Sequence, residues 1–151
     1  MVEYSIREGS IDDLQRIAEG NNLLAEETEG LFLNRNDVLK GVFHLLTNPN
    51  LGFYIVAESD RMIVGQTLIT FEWSDWRNVN IWWVQSVYVW PQYRRLGIFS
   101  SLFKAIKSKA KTYEIAEIRL YAEKDNLVAH ETYFHLGFKS GHYKMFTQKL
   151  R

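Results

Sequence analysis

The residues best suited to chemistry lie where a predicted strand gives way to a predicted helix. A β-branched and aromatic run over residues 87–89 precedes a basic pair, Arg94 and Arg95, and then Gly97. A helix-forming run begins at Ile98. Unpaired backbone N–H groups and the helix dipole give such a helix start a partial positive charge. With two guanidinium groups beside it, this pattern predicts a site for a phosphorylated ligand.

A second set of residues follows further along the chain. Asn126, Ala129, Tyr133, Gly137 and Phe138 form the pattern N-x-x-A-x-x-x-Y-x-x-x-G-F. On a helix, Asn126 and Tyr133 lie two turns apart on one face. Taken alone, the arginines are more typical of a solvated loop, and Tyr133 is more typical of a core aromatic. The occurrence of both patterns at this spacing favours a functional interpretation.

Together, the two segments resemble the GNAT superfamily of acyl-CoA-dependent N-acetyltransferases, and the resemblance covers residues 53–146. It implies that the loop binds the cofactor pyrophosphate. In that family the loop reads Arg/Gln-x-x-Gly-x-Gly/Ala, whereas this chain has a bulky phenylalanine at the last position. The residues implied in pyrophosphate binding are Arg94, Arg95, Leu96, Gly97, Ile98, Phe99 and Ser100.

The resemblance also assigns parts of the site to the strand before the loop and to the later helix. The pantetheine arm of acetyl-CoA would pair with the strand edge formed by Val87, Tyr88 and Val89, as an added strand does. Asn126 would orient that arm, and Tyr133 would protonate the departing thiolate. Because the chain has no cysteine, we expect direct transfer in a ternary complex.

The general base is less clear from the sequence. Spermidine/spermine N-acetyltransferases, a branch of the family that the chain resembles, place a glutamate on the strand before the loop. Here that position is Gln85, which cannot act as a base. Glu72, at the end of the preceding strand, is the nearest acidic alternative, although a solvated strand-end charge would explain it equally well.

Acceptor contacts are predicted from the N-terminal part and the turns. Glu26, Glu27 and Glu29 form a compact negative cluster that would attract a cationic amine. Trp73 belongs to a group of tryptophans that would favour an alkylammonium ion through cation–π attraction. Gln85 would contact the acceptor as well. A solvated helix face and a dimer contact are the alternatives for these two clusters.

Composition narrows the remaining classes. The chain has 151 residues, so we expect one domain over residues 1–151. Its 18 basic and 18 acidic residues give no net charge, which argues against a nucleic-acid partner. The four histidines show no metal-binding spacing, and no apolar segment is long enough to span a membrane. We expect a cytoplasmic protein and, by analogy with the family, a homodimer.

These patterns predict a mixed α/β layer, and the resemblance implies that its fold is of the GNAT type. Its central, mostly antiparallel twisted sheet would have helices on both faces and a splayed parallel strand pair ending at Val89 and Ala122. At the N-terminus, Gly20, Asn21 and Asn22 predict a break between two helical pieces. The predicted function is acetyl transfer from acetyl-CoA to the primary amine of a small acceptor. The alternatives are a non-catalytic acyl-CoA sensor and a nucleotide- or RNA-binding protein.

Overall fold

A computed structural model describes residues 2–151 and places them in two compact units. The first unit ends at Leu120, and the second spans Tyr121–Arg151. Between residues 2 and 151, no helix has the length and apolar character needed to cross a membrane.

The first unit holds a five-stranded sheet with strand order β1-β2-β3-β4-β5. The first three pairings are antiparallel, and β4 pairs with β5 in parallel, which confirms the predicted mixed sheet. The strands are β1 (Ser5–Glu8), β2 (Gly52–Ser59), β3 (Met62–Ser74), β4 (Val79–Val89) and β5 (Ile118–Arg119). The helices of this unit are α1 (Leu14–Glu29), α2 (Arg35–Leu46) and α3 (Ile98–Thr112).

Helices cover both faces of the sheet, as predicted. One core lies against α1 and α2, and the other lies against α3. The first consists of Ile17, Ala18, Val42, Tyr54, Val56, Ile63, Tyr88 and Trp90. The second consists of Ile55, Ala57, Val64, Ile69, Trp82, Val84, Ile98, Leu102, Ile106 and Ala110. Four residues of α3 in this core, Ile98, Leu102, Ile106 and Ala110, recur at the spacing of one helical face, whereas Tyr113 at the end of the helix is exposed.

Helix α1 runs without a break through Gly20, so the predicted interruption is wrong. A Cβ atom added at Gly20 would lie 2.6 Å from Nε2 of Gln66. That amide is fully buried and donates to the Ile17 carbonyl oxygen at 3.0 Å and to Oδ1 of Asn21 at 3.1 Å. The glycine thus makes room for a buried side chain of β3, and it does not end the helix.

The second unit contains α4 (Leu127–His135). Asn126 caps its N-terminus, because Oδ1 accepts a hydrogen bond from the Ala129 N–H at 3.1 Å. At the other end, Gly137 has a φ of 94°, and the Phe138 N–H donates to the Tyr133 carbonyl oxygen at 3.0 Å. The residues recognised in the sequence pattern therefore define both ends of this helix.

Candidate active site

A β-bulge interrupts the centre of the sheet. The pairing register between β3 and β4 shifts between Gln66 and Leu68, so that Ser86 and Val87 together oppose Thr67. Ser86 has a φ of 51°, in the left-handed region. A bulge of this kind leaves backbone groups of the extra residue outside the regular ladder and redirects them. The bulge thus interrupts the regular β3–β4 ladder at Ser86 and Val87.

Gln85, the residue before the bulge, is hydrogen-bonded to β3 through both its backbone and its side chain. The backbone carbonyl oxygen of Gln85 accepts a hydrogen bond from Oγ1 of Thr67 at 3.1 Å. The side-chain Nε2 of Gln85 donates to Oγ1 of Thr70 at 2.5 Å. The side chain that replaces the glutamate of the polyamine branch is therefore attached to β3. Its predicted contact with an acceptor stays a prediction.

Strands β4 and β5 pair only at Trp82 with Ile118 and at Trp83 with Arg119. Strand β4 then continues to Val89. Within residues 2–120, the segment 84–89 of β4 therefore has no partner in β5. This is the edge on which an extended, amide-rich ligand would add as a strand.

The loop after β4 ends in a glycine-capped helix start. Arg95 has a φ of 64°, and Gly97, the N-cap of α3, has a φ of 77°. The first helical hydrogen bond runs from the Ser101 N–H to the Gly97 carbonyl oxygen at 3.0 Å. The N–H groups of Ile98 and Ser100 precede that bond and therefore have no acceptor within the helix. Phe99 lies in the same turn and is half-buried.

Arg94 contacts other parts of the protein. Its Nε donates to the Val89 carbonyl oxygen at 2.8 Å, and its terminal nitrogen lies 2.7 Å from Oε2 of Glu27. The other carboxylate oxygen of Glu27 accepts from the Tyr88 hydroxyl at 2.8 Å. Arg95 is exposed. Both arginines predicted to bind phosphate are therefore exposed, and Arg94 is the one that also pairs with Glu27 and with the end of β4.

The hydrogen bonds among Glu27, Arg94 and Tyr88 determine the protonation states of the carboxylate and the phenol. Burial would raise the pKa of Glu27, but hydrogen bonds from Arg94 and Tyr88 outweigh it and leave the pKa below its usual value. Burial, reinforced by the bond to Glu27, raises the pKa of Tyr88 to about 12. At neutral pH the carboxylate is therefore ionised and the phenol is protonated.

A cavity of about 490 Å³ lies between α1, α2 and the sheet. Its wall is mainly apolar, and Ser86 of the bulge forms part of it. Polar groups are contributed by Asn21, Thr28 and Glu29. The other lining residues are Leu24, Ala25, Leu33, Val38, Gly41, Val42, Leu45, Tyr54 and Leu68. The sequence patterns missed this cavity, because its wall comes from two helices, three strands and the loop between α1 and α2.

The other predicted acceptor residues lie apart from this cavity. Glu26 is exposed on the last turns of α1, and Trp73 is 59% exposed near the end of β3. Neither side chain lines the cavity wall. Of the three clustered glutamates, only Glu29 does so.

Glu72 lies towards the far end of β3. Its carboxylate accepts from Nε1 of Trp83 at 3.2 Å and pairs with Arg119 at 3.0 Å. Glu72 is four register pairs beyond the Leu68–Gln85 pair, a separation of about 14 Å along the strands. A proton from an amine at the bulge would therefore reach it only through intervening waters.

Tyr133 lies on α4, in the second unit, with its ring edge-to-face against Phe138 at a centroid distance of 5.9 Å. Burial raises its pKa above the usual value. The phenol is therefore protonated at neutral pH, as a proton donor must be. Among residues 2–151, no three potential metal ligands lie together.

Comparison with known proteins identifies the class. The acetyltransferase (GNAT) family matches residues 12–138. An N-alpha-acetyltransferase from Sulfurisphaera tokodaii is 31% identical over a 144-residue alignment that covers 91% of this chain and 81% of that protein. The chain therefore belongs to the GNAT family of acetyltransferases, and it is an acyltransferase.

Solved structures agree in fold. A possible acetyltransferase from Clostridium difficile 630 has a TM-score of 0.92 and 42% identity, covering 100% of this chain and 99% of the other. A predicted acetyltransferase from Clostridium acetobutylicum, solved with acetyl-CoA, has a TM-score of 0.80 and 20% identity. That comparison covers 97% of this chain and 96% of the other, and it shows the shared fold alone.

Proposed function

We propose that this chain transfers an acetyl group from acetyl-CoA to the primary amine of a small, cationic acceptor. The observation that carries this proposal is the position of Ser86. Ser86 belongs to the bulge, which lies on the stretch of β4 that has no partner in β5, and it also forms part of the wall of the cavity. An acceptor in the cavity would therefore meet a thioester bound along β4.

The residues around the loop suit the acyl donor. The first turn of α3 offers backbone N–H groups to a pyrophosphate, and exposed Arg95 adds a full positive charge. A Cβ atom added at Gly97 would have only the Tyr4 hydroxyl within 4 Å, at 3.9 Å, so space for a ligand lies beside the glycine. The solved relative from Clostridium acetobutylicum, which carries acetyl-CoA, supports the same donor.

The transfer would be direct. The neutral amine attacks the thioester carbonyl carbon, so that a C–N bond forms and the C–S bond breaks. Backbone N–H groups at the bulge would stabilise the oxygen as negative charge develops on it. Tyr133 would donate its proton to the departing sulfur, and the proton released by nitrogen would pass to a base. Asn126 would orient the donor's arm through its amide nitrogen, because its oxygen caps α4.

Glu72 is the proposed base, and its distance from the bulge requires a chain of waters. An alkylamine with a pKa near ~10.4 is almost entirely protonated at pH 7, so removal of its proton is a real requirement. A second candidate function is acyl-CoA binding without turnover. The observation in its favour is Gln85. Its side-chain amide is hydrogen-bonded to Thr70 and cannot accept a proton from the amine, so this position next to the bulge supplies no general base.

The cavity supports a small acceptor. A volume of about 490 Å³ is in the range of small-molecule sites, and its apolar wall suits an aliphatic or aromatic body. Glu29 would attract a cationic group at the wall, with Glu26 adding to the local negative potential. A relative named N-alpha-acetyltransferase supports an amine as the acceptor.

Two measurements test the proposal. Calorimetry with acetyl-CoA measures donor binding, and thiol release measured across a panel of amines detects transfer. We expect binding together with amine-dependent thiol release. Binding without release from any amine would favour the sensor function, and no binding at millimolar acetyl-CoA would overturn both.

A further inference from the structure

We propose that Glu27 is a positioning residue for the cofactor loop. It holds Arg94, and Arg94 holds the end of β4 from which the loop begins. This inference rests on the proposed function, because it concerns the same acetyl-CoA site. It gives Glu27 a role different from the acceptor contact predicted from the sequence.

The contacts form a continuous path from α1 to the loop. One carboxylate oxygen of Glu27 lies 2.7 Å from a terminal nitrogen of Arg94, and the other accepts from the Tyr88 hydroxyl at 2.8 Å. Nε of Arg94 donates to the Val89 carbonyl oxygen at 2.8 Å. Both oxygens of Glu27 therefore bind residues on either side of Val89. A cationic acceptor that bound this carboxylate would have to share it with Arg94.

The loop needs support from outside. Arg95 and Gly97 both adopt left-handed φ values, 64° and 77°. Arginine adopts that region at a steric cost, so the surrounding structure must hold it there. Two contacts flank these residues. On the helix side, the Tyr4 hydroxyl lies 2.8 Å from the Ser101 hydroxyl, and on the strand side Arg94 is held by Glu27.

The position of Glu27 on α1 also matters. Leu24, Ala25, Thr28 and Glu29, on the same turns of the helix, line the acceptor cavity. Glu27 alone among residues 24–29 makes an ion pair with the cofactor loop. The last turns of α1 therefore contribute both to the acceptor wall and to the support of the donor loop.

The test compares CoA binding by calorimetry in four chains: wild type, Glu27→Gln, Arg94→Gln and the double variant. Glu27→Gln keeps an acceptor for the Tyr88 hydroxyl but removes the charge that holds Arg94. We expect about tenfold weaker CoA binding in each single variant, which corresponds to the loss of one charge-assisted hydrogen bond. Because both act through one contact, the double variant should be little weaker than either.

Glu19→Gln is the matched control. Glu19 lies on the same helix and pairs with Arg16 at 3.0 Å, so its replacement also removes a charge and an ion pair. It should bind CoA as the wild type does. A second probe, pantetheine, lacks the pyrophosphate, and we expect its affinity, measured by NMR titration, to be equal in wild type and Glu27→Gln. A general structural defect would weaken both ligands.

The outcomes separate this inference from the proposed function. If the wild type binds CoA and Glu27→Gln binds it equally well, Glu27 has no positioning role. Fully additive losses in the double variant, or equal weakening of pantetheine, would also overturn it. If the wild type itself does not bind CoA, the proposed function fails first, and the inference fails with it.

Discussion

The Tyr4 hydroxyl lies 2.8 Å from the Ser101 hydroxyl, joining the chain just before β1 to the first turn of α3. The same phenol lies 3.5 Å from the Leu96 carbonyl oxygen. The start of α3 is therefore attached to the opposite edge of the sheet from β4. A contact so close to the proposed pyrophosphate site should affect ligand binding more than folding.

Replacing Tyr4 with phenylalanine tests this contact. We expect Tyr4→Phe to weaken CoA binding severalfold and to lower the free energy of unfolding by about 1 kcal/mol, the usual net value of one hydrogen bond. Calorimetry and urea denaturation measure the two effects. Tyr113→Phe, at the far end of α3, is the control. Unchanged CoA affinity in Tyr4→Phe would show that the contact does not order the loop.

Two glycines distinguish conformational strain from steric overlap. Gly97→Ala would place a side chain at a φ of 77° with no atom nearer than 3.9 Å, so its cost is conformational, about 1–2 kcal/mol. Gly65→Ala would place a Cβ atom 2.6 Å from Cγ2 of Ile98, within the core. Of the two variants, we expect Gly97→Ala to weaken CoA binding more, and we expect Gly65→Ala to lower the free energy of unfolding more. Thermal unfolding and calorimetry on both variants measure the two effects. A larger loss of stability in Gly97→Ala than in Gly65→Ala, or a larger loss of CoA affinity in Gly65→Ala, would contradict this prediction.

The proposed acid predicts a specific kinetic pattern. Tyr133→Phe should lower kcat by about 10²-fold while CoA affinity stays unchanged. Because burial raises the pKa of Tyr133, the phenol keeps its proton through the neutral and mildly alkaline range. The wild-type rate should therefore fall from loss of this proton only above the usual tyrosine pKa near ~10. An unchanged kcat in Tyr133→Phe, measured by thiol release, would remove the residue from the mechanism.

The role of Glu72 has its own pH signature. If Glu72 receives the amine proton through water, Glu72→Gln should reduce kcat/KM most at neutral pH. The deficit should shrink as pH approaches the amine pKa of ~10.4, where the acceptor is already neutral. Rates of thiol release between pH 7 and 10 measure this. A deficit that does not vary with pH would indicate that Glu72 acts only through its ion pair with Arg119.

An ion-paired carboxylate near the start of α1 sets part of the acid stability. Burial would raise the pKa of Asp13, but hydrogen bonds from Arg7 and Ser10 outweigh it and lower that pKa. Its contribution is present above the unfolded-state pKa and is lost as pH falls through the lower, folded-state value. Asp13→Asn should cost about 1 kcal/mol at pH 7 and less than that at pH 2. Exposed Asp12→Asn is the control, and urea denaturation at both pH values is the measurement.

The sequence predicted the elements whose residues lie close together in the chain. Helix α3 begins at Ile98, where the sequence predicted a helix-forming run, and α4 contains the helical pattern that starts at Asn126. The bulge did not follow, because serine at position 86 gives no local signal for a φ of 51°. The ion pair between Glu27 and Arg94 was also missed, since the residues are 67 apart in the chain.

The helix break predicted at Gly20 was wrong for a related reason: a contact with a residue distant in the chain decides the structure there. Glycine lowers helix propensity. What decides here is the buried Gln66 side chain, which requires a residue without a side chain on α1. Local composition predicts where a helix is weak, and only the packed sheet shows why a weak position is retained.

The bulge also reverses the parity of β4. Before it, the even-numbered residues Trp82 and Val84 belong to the core beneath α3. After it, the even-numbered Tyr88 and Trp90 belong to the core beneath α1 and α2. Deleting one residue at Ser86 would restore simple alternation and turn the Tyr88 hydroxyl away from Glu27. The single inserted residue thus places Tyr88 on the face of the sheet that α1 and α2 cover, and it brings a phenol to the helix that borders the acceptor cavity.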